Sequence, residues 1–399
     1  MDGPDLREPV IADAVAVRQP AAHLIPLVLA SPHSGCNYPA TFVAASRLDP
    51  LTLRRSEDSF VDEIFGSAPG LGAPLISASF PRAYLDVNRE PYELDPAMFS
   101  DSLPSFVNAR SSRVRMGLGT IARVVASGEE IYAGKLCFAE AQQRIVAFYQ
   151  PYHAALRKLV EETAAQFGGC LLIDCHSMPS ATDAIEGRCS TDIVLGDCHG
   201  SACHERIVDA ARCFLGERGF AVALNAPYAG GYTTGHYGHP RRGRHALQIE
   251  INRSLYMDER NYRRKPEFDK LAAEMAGLIQ RPARSSANAW AARYKPFGSA
   301  KKRAVQARPE FREETPRRRT AEPSLDDPYR TAQFKPADSE VKRPFVKPLI
   351  SFKFEDKWRQ SLGCGVTVRR TRISSPARLA ATIVSLPRGQ SPTAEGYEP

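Results

Sequence analysis

The chain has 399 residues, of which 43% are hydrophobic and 25% are charged, and this is enough to build a large α/β domain. Its formal charge of +8 is unevenly distributed: residues 300–399 contain 21 Lys and Arg against 12 Asp and Glu, whereas residues 1–299 contain 32 and 33. Any binding of nucleic acid or of an anionic membrane surface is therefore restricted to the basic C-terminal segment. No segment approaches the roughly 18 apolar residues of a membrane span.

The cysteines and the N-terminus indicate a reducing compartment. The chain has 9 cysteines, an odd number, and none form a C-x-x-C pair. A fold held together mainly by disulfide bonds would also be far smaller. The first residues, from Met1 to Asp5, lack the basic and then apolar pattern of a signal peptide. We therefore expect a cytoplasmic protein.

Two short apolar runs each lead into a histidine. Residues 27–31 precede His33, and residues 171–175 precede His176. Runs of this length favour buried parallel strands, and ligands of open α/β sheets bind beyond the carboxyl ends of such strands. A single histidine at such a position is more often a hydrogen-bonded structural residue. The pair predicts that both imidazoles reach one crevice, where they could hold a metal ion with an acidic third ligand.

The first acidic candidates follow in a predicted amphipathic helix over residues 51–65. This helix carries the adjacent carboxylates Glu57 and Asp58. A solvated helix face would explain both residues equally well. Only the combination with the two histidines favours Asp58 as a ligand, and the choice between Asp58 and Glu57 stays open.

Arginines after the next predicted strand are suited, taken together, to an acidic substrate, although each one alone is more simply explained as a surface or salt-bridged residue. Residues 74–80 read as a strand, and Arg82 and the pair Asn88-Arg89 follow it. Arginine is the preferred bidentate partner of a carboxylate. Residues 95–135 show weak periodicity and are expected to form long covering loops.

The remaining predicted elements alternate between helices and strands. They are a helix over 138–167 with a break or kink at Pro151, a helix over 201–218 capped by Ser201, a strand over 220–224, a Gly/Tyr-rich loop over 228–235, a strand over 246–251 and a helix over 262–279.

The last predicted strand has two unlike faces. Leu247, Ile249 and Ile251 alternate with Gln248, Glu250 and Asn252. The polar face could simply be solvated. In a central strand, however, a buried carboxylate is costly unless it is paired or functional, and Glu250 would then suit a general base that activates water at a metal.

These segments, in this order, resemble the N-formylglutamate amidohydrolase family. The matching blocks are Ser31 to Gly35, Glu57 to Asp62, Pro81-Arg82 to Asn88-Arg89, Asp174 to Pro179, Ala229 to Tyr232 and Gln248 to Met257. Together they span residues 23–280. The ordered set is far more specific than any one block.

The resemblance implies a fold, a metal site and a reaction. The fold would be a central mixed, mostly parallel sheet flanked by helices, similar to zinc carboxypeptidases and aspartoacylase. Zinc, or another divalent metal, would be held by His33, Asp58 and His176, although the His-x-x-Glu motif of the carboxypeptidase-like proteins is absent. Glu250 would be the catalytic carboxylate. The implied contacts with the substrate carboxylates are Arg82, Asn88 and Arg89, and we also predict substrate contacts at Gly231, Tyr232 and Arg253.

The implied activity is hydrolysis of N-formyl-L-glutamate to formate and L-glutamate in histidine degradation. One alternative is an amidohydrolase acting on another N-acyl amino acid or on a cell-wall peptide. A less favoured one is nucleic-acid binding through the basic C-terminal segment. We predict an N-terminal extension over 1–22, a catalytic domain over 23–280 and a Pro-rich, mostly disordered tail over 281–399, most simply explained as a solvated extension.

Overall fold

A seven-stranded sheet organises the part of the chain that this computed structural model describes, namely residues 14–180, 191–283, 367–369 and 383–385. In spatial order its strands are β1 (Val15–Arg18), β4 (Leu75–Ala78), β2 (Leu27–Ser31), β5 (Cys170–Met178), β8 (Arg244–Asn252), β6 (Ile193–Gly196) and β7 (Val222–Leu224). Strands β4, β2, β5 and β8 are parallel, whereas β1 is antiparallel to β4 and β6 is antiparallel to β8. The predicted mixed, mostly parallel sheet is confirmed.

Two small sheets complete the strands. Strand β9 (Met257–Asp258) pairs with β10 (Arg263–Arg264). Strand β3 (Asn37–Pro39) pairs with β12 (Ile383–Ser385), which in turn pairs with β11 (Thr367–Arg369). The rest of the predicted tail from residue 284, and most of the predicted N-terminal extension, lie outside the described residues.

Helices flank both faces of the main sheet. They are α1 (Ala40–Ala45), α2 (Pro50–Leu53), α3 (Val61–Ile64), α4 (Ser112–Arg115), α5 (Phe138–Arg144), α6 (Gln150–Phe167), α7 (Glu205–Gly216), α8 (Tyr232–Tyr237) and α9 (Phe268–Ala283). Among the described helices, none has both the length and the apolar character needed to cross a membrane.

The main core lies on one face of the sheet. Alternate residues of β2, β5 and β8, such as Leu29, Ile173 and Ile249, pack there against α3, α7 and α9. The side chains between them point to the other face, where α6 packs against β2 and β5 and α8 packs against β5 and β8. This second face holds Asp174 and His176 of β5 and Gln248 and Glu250 of β8.

Three predicted helices differ from the structure at their boundaries. Helix α7 begins only at Glu205, because His204 rather than Ser201 is the N-cap and accepts a hydrogen bond from the Arg206 N–H. Helix α9 begins at Phe268, after the β9–β10 hairpin. The predicted break near Pro151 is a π-helical turn over Ile145–Tyr149, and Pro151 lies in the first turn of α6, where proline is tolerated.

Candidate active site

The two histidines meet because their strands are neighbours. Strand β2 pairs in parallel with β5 from Leu27–Leu171 to Ala30–Asp174. The rings of His33 and His176, only 1% and 2% exposed, have centroids 4.8 Å apart. Gly35 in the first turn lies against the backbone of Ser79 and Phe80, where a Cβ would be 2.2 Å from the Phe80 carbonyl oxygen. Only glycine fits this close approach.

The predicted helix over residues 51–65 is wrong at the position that matters most. The chain leaves the helical path after a 3-10 turn at Arg54–Ser56 and resumes it at Val61, with Phe60 at φ 68°. In this gap the Asp58 N–H donates to the His33 carbonyl, at 3.0 Å. The interruption turns the Asp58 carboxylate towards the imidazoles, since its Oδ2 lies 3.0 Å from His176 Nδ1 and 3.3 Å from His33 Nδ1.

Glu57, the alternative ligand, is bound elsewhere. Its carboxylate accepts hydrogen bonds from Tyr38 Oη, Arg54 Nε and Ser59 Oγ. The structure therefore groups Asp58, and not Glu57, with the two histidines.

A second pair of carboxylates holds the outer side of each imidazole. His33 Nε2 lies 2.8 Å from Asp86 Oδ1, and His176 Nε2 lies 2.9 Å from Asp174 Oδ1. Such carboxylates fix the tautomer of metal-binding histidines and leave the other nitrogen to the metal. Both Nδ1 atoms accordingly face Asp58.

The donor set fits a divalent metal ion. One ligand atom from each of His33, Asp58 and His176 can be chosen so that all lie within 4.8 Å of one another. Within the described residues, the buried His33 Nδ1 has no hydrogen-bond partner. Two imidazoles and one carboxylate form a typical three-residue set for catalytic zinc, with a position left for water or substrate. This group could hold a metal.

The charges around this group favour ionised carboxylates. Burial opposes the charge on Asp58, but its close contacts with the imidazoles of His176 and His33 hold its pKa well below the usual range. Burial likewise opposes the charge on Asp86, whose pKa Arg89 and Arg82 lower. Both carboxylates thus remain negative at neutral pH.

Glu250 lies beside this group on the adjacent strand. Strand β8 pairs with β5 so that Glu250 stands opposite His176. Because β8 lies inside the sheet, the solvated-face interpretation of its polar stripe is wrong, and Glu250 is only 8% exposed. Burial raises the pKa of Glu250 to about 7. Its Oε1 accepts a hydrogen bond from Gln248 Nε2 at 2.9 Å, which leaves Oε2 for a ligand.

A cavity of about 650 Å³ opens onto these groups. Of the predicted site residues, it is lined by His33, Arg82, Asn88, Arg89, His176, Gly231, Glu250 and Arg253. Asp58 lies buried behind the two histidines. Tyr232 is not among the lining residues: it begins α8, and its ring packs against His153 and His236.

Asn88 lies between His176 and the segment at the start of α8. Its Nδ2 lies 3.2 Å from His176 Nε2, and its Oδ1 accepts from the Thr233 N–H at 2.8 Å. A Cβ at Gly231 would come within 2.3 Å of the Asn88 amide. Asn88 is thus bound to the first turn of α8 through its Oδ1, and the loop needs glycine to pass it.

Several site residues were absent from the predicted set. Asp174 and Asp86 support the histidines, Gln248 supports Glu250, and Arg113 lines the cavity. Strand alternation could have found Asp174 and Gln248, which stand two residues from His176 and Glu250 on the same face. Nothing in the pattern of residues 95–135 singled out Arg113.

Comparison with known proteins agrees with this geometry. A family model described as N-formylglutamate amidohydrolase matches residues 25–257. The N-formylglutamate deformylase of Pseudomonas putida is 26% identical over 238 residues, covering 59% of this chain and 83% of the relative. That of Pseudomonas aeruginosa is 29% identical over 241 residues, with the same coverage.

Solved structures show the same relationship. The crystal structure of N-formylglutamate amidohydrolase from Ralstonia eutropha matches with a TM-score of 0.65 and 37% identity, over 69% of this chain and 99% of that one. A protein from Agrobacterium tumefaciens, at 19% identity and a TM-score of 0.51 over 68% of this chain and 94% of its own, shares the fold. The predicted family is confirmed, and the chain belongs to the N-formylglutamate amidohydrolase family.

Proposed function

We propose that this protein hydrolyses N-formyl-L-glutamate to formate and L-glutamate, a reaction of histidine degradation, and that it requires a divalent metal, most simply zinc. The observation that carries the proposal is one cavity that joins the His33–Asp58–His176 group, a buried carboxylate at Glu250 and several arginines. The relatives named as N-formylglutamate deformylases support the substrate.

The metal would be held by His33 Nδ1, His176 Nδ1 and the Asp58 carboxylate. When bound, a zinc ion supplies Lewis acidity towards the acyl oxygen and makes a water molecule more acidic. Asp86 and Asp174 keep both imidazoles oriented through their Nε2 atoms. Arg253 donates from Nη2 to Asp58 Oδ1 at 3.1 Å and so holds that carboxylate in place.

Glu250 would move the proton. A base works best when its pKa lies near the working pH, and burial raises the pKa of Glu250 to about 7. Because Gln248 occupies Oε1, the proton of the attacking water would go to Oε2. The same oxygen would then protonate the departing amide nitrogen, which becomes the amino group of glutamate.

Specificity would come from the carboxylates of the substrate. A formyl group is too small to be recognised by shape alone, whereas glutamate offers two negative charges. Arg82 donates from Nε to Asp86 at 2.9 Å and, among the described residues, has no hydrogen-bond partner for its two Nη atoms. We infer that Arg82 uses them to bind the carboxylate next to the scissile amide.

A second candidate is an amidohydrolase for another N-acyl amino acid or a cell-wall peptide. The cavity volume of about 650 Å³ is larger than a formyl group requires, so the cavity could also accept a larger acyl group.

The decisive experiment measures formate release from N-formyl-L-glutamate, with acyl-group hydrolysis of N-acetyl-L-glutamate and N-formyl-L-leucine alongside. Each assay is run on the protein as purified, after chelation and after zinc is added back. We expect turnover of the first substrate alone, lost on chelation and restored by zinc. Turnover of N-acetyl-L-glutamate at an equal rate would contradict the formyl substrate, and full activity after exhaustive chelation would contradict the metal.

A further inference from the structure

Among the described arginines that line the cavity, Arg113 is the one whose guanidinium forms no hydrogen bond and no ion pair with the protein. It lies on α4, in the covering segment, and lines the cavity that contains the His33–Asp58–His176 group. The side chain is half-buried. Within the described residues, its guanidinium makes no hydrogen bond and no ion pair. This guanidinium is therefore suited to bind a negatively charged ligand in the cavity.

Two strongly buried arginines of the cavity, Arg89 and Arg253, already have protein partners for all their nitrogens. Arg89 donates to the carbonyls of Leu118 and Asn88, both at 2.7 Å, and lies 3.5 Å from Asp86. Arg253 uses its three nitrogens on Ser177, the Arg55 carbonyl and Asp58. These side chains shape the cavity but have little capacity left for a carboxylate.

The guanidinium groups of Arg82 and Arg113 both lie close enough to Arg89 for their charges to act on it. Burial, together with the neighbouring guanidinium groups of Arg82 and Arg113, lowers the pKa of Arg89 to about 10 against the attraction of Asp86 and Glu93. Among the described residues, Asp86 forms the ion pairs with Arg82 and Arg89. A bound anion would reduce the repulsion among these guanidinium groups.

Arg82 and Arg113 act on different parts of the cavity. Arg82 is close enough to Asp58 and Glu250 for their charges to stabilise it, so it belongs to the reacting end. Arg113 instead lies close enough to Arg89 and Cys198 for its charge to influence their pKa values, and Cys198 lies next to Gly230 of the loop before α8. A substrate with two carboxylates, one beside the amide and one at the end of its side chain, could engage both arginines.

We propose that Arg113 is a specificity-determining residue that binds the side-chain carboxylate of the substrate and so selects acidic N-formyl amino acids over neutral ones. This inference rests on the proposed function for the identity of the substrate. The planar guanidinium would form two hydrogen bonds to the carboxylate, and no described residue competes for them.

The test compares Arg113→Gln with wild type on N-formyl-L-glutamate and on its neutral isostere, N-formyl-L-glutamine. We expect kcat/KM for the acidic substrate to fall roughly 10- to 100-fold, mostly through KM, with a change below about 3-fold for the neutral one. Arg113→Lys keeps the positive charge but lacks the planar guanidinium that can form two hydrogen bonds to a carboxylate. Its loss of kcat/KM on the acidic substrate is therefore expected to be smaller than that of Arg113→Gln.

The matched control is Arg115→Gln, on the same short helix. Arg115 is exposed, donates to the Arg110 carbonyl and does not line the cavity. This variant is expected to match wild type on both substrates. An equal loss on both substrates in Arg113→Gln, or an unchanged preference, would overturn the inference.

A binding measurement separates this inference from the proposed function. The zinc-loaded protein is heated with L-glutamate or L-glutamine, and the shift in Tm is compared between wild type and Arg113→Gln. If wild type does not hydrolyse N-formyl-L-glutamate, the proposed function fails, and this measurement alone decides the role of Arg113. Loss of the preference for L-glutamate in the variant supports the inference, and identical shifts in both proteins overturn it.

Discussion

The two walls of the active cavity are built differently. The sheet wall, formed by the His33, His176 and Glu250 side chains with Asp58 behind the histidines, is held by carboxylates, an amide and an arginine of the protein itself. The cover wall, formed by residues 113–126, supplies apolar side chains and the guanidinium of Arg113. The difference indicates that the reacting groups are fixed before the substrate arrives. On the cover wall, by contrast, the guanidinium of Arg113 is left to bind the substrate.

The largest effect is expected from breaking the sheet wall. Glu250→Gln removes the proton acceptor but no proposed ligand, so it is expected to keep the metal and lose roughly 10²- to 10⁴-fold in kcat. His176→Ala removes a ligand and is expected to lose both metal and turnover. Metal content by mass spectrometry and formate release are measured on the same samples.

The control for the histidine variant is His239→Ala, an exposed histidine outside this cavity. It is expected to behave as wild type. Turnover of Glu250→Gln close to that of wild type would eliminate Glu250 as the base, and full metal content in His176→Ala would eliminate that ligand.

A smaller effect is expected from loosening the support of the sheet wall. Asp174→Asn weakens the hold on His176 Nε2 and is expected to lower metal affinity by about 10- to 100-fold. Competition with a chromophoric chelator measures the affinity. The matched control is Asp197→Asn, a buried aspartate that binds the Gly200 N–H and Asn225 instead, and its affinity is expected to be unchanged. Equal affinities in all three proteins would show that Asp174 does not orient the ligand.

The last effect concerns the stability of the metal-free protein rather than its activity. Burial raises the pKa of Glu250 from 4.5 to about 7, so the folded state binds its proton more tightly than the unfolded chain does. The free energy of unfolding therefore falls as pH rises between these two values, by about 3 kcal/mol in all. Glu250→Gln cannot ionise, so it is expected to be about 3 kcal/mol more stable than wild type at pH 8 and equally stable at pH 4.

Urea unfolding of both chelated proteins at the two pH values measures this difference. Glu267→Gln, at an exposed position, is the control and is expected to follow wild type throughout. Parallel curves for Glu250→Gln and wild type across the pH range would contradict the buried, ionisable state of Glu250.

The sequence predicted the sheet wall far better than the cover wall, for a physical reason. Strands reveal their buried faces through short apolar runs and alternation, so His176 and Glu250 could be assigned to strands of one sheet from the residue pattern alone. Asp58 was placed on a helix that the structure interrupts, because its position depends on contacts with His33 and His176 that are distant in sequence. Arg113 lies in a segment with no periodic signal, and only the folded chain shows that it lines the cavity.

Hydrogen bonds connect the loop before α8 to residues around the candidate metal site. The loop and the first turn of the helix are held by three hydrogen bonds: Gly231 N–H to Gln248, Thr233 N–H to Asn88, and Thr234 Oγ1 to Asp174. Lifting this segment would cost about 1 kcal/mol for each bond and would free the carboxylate that supports His176. We therefore expect an ion held by the two histidines and Asp58 to favour the ordered loop, and the ordered loop to favour the ion to the same extent, since such coupling is reciprocal.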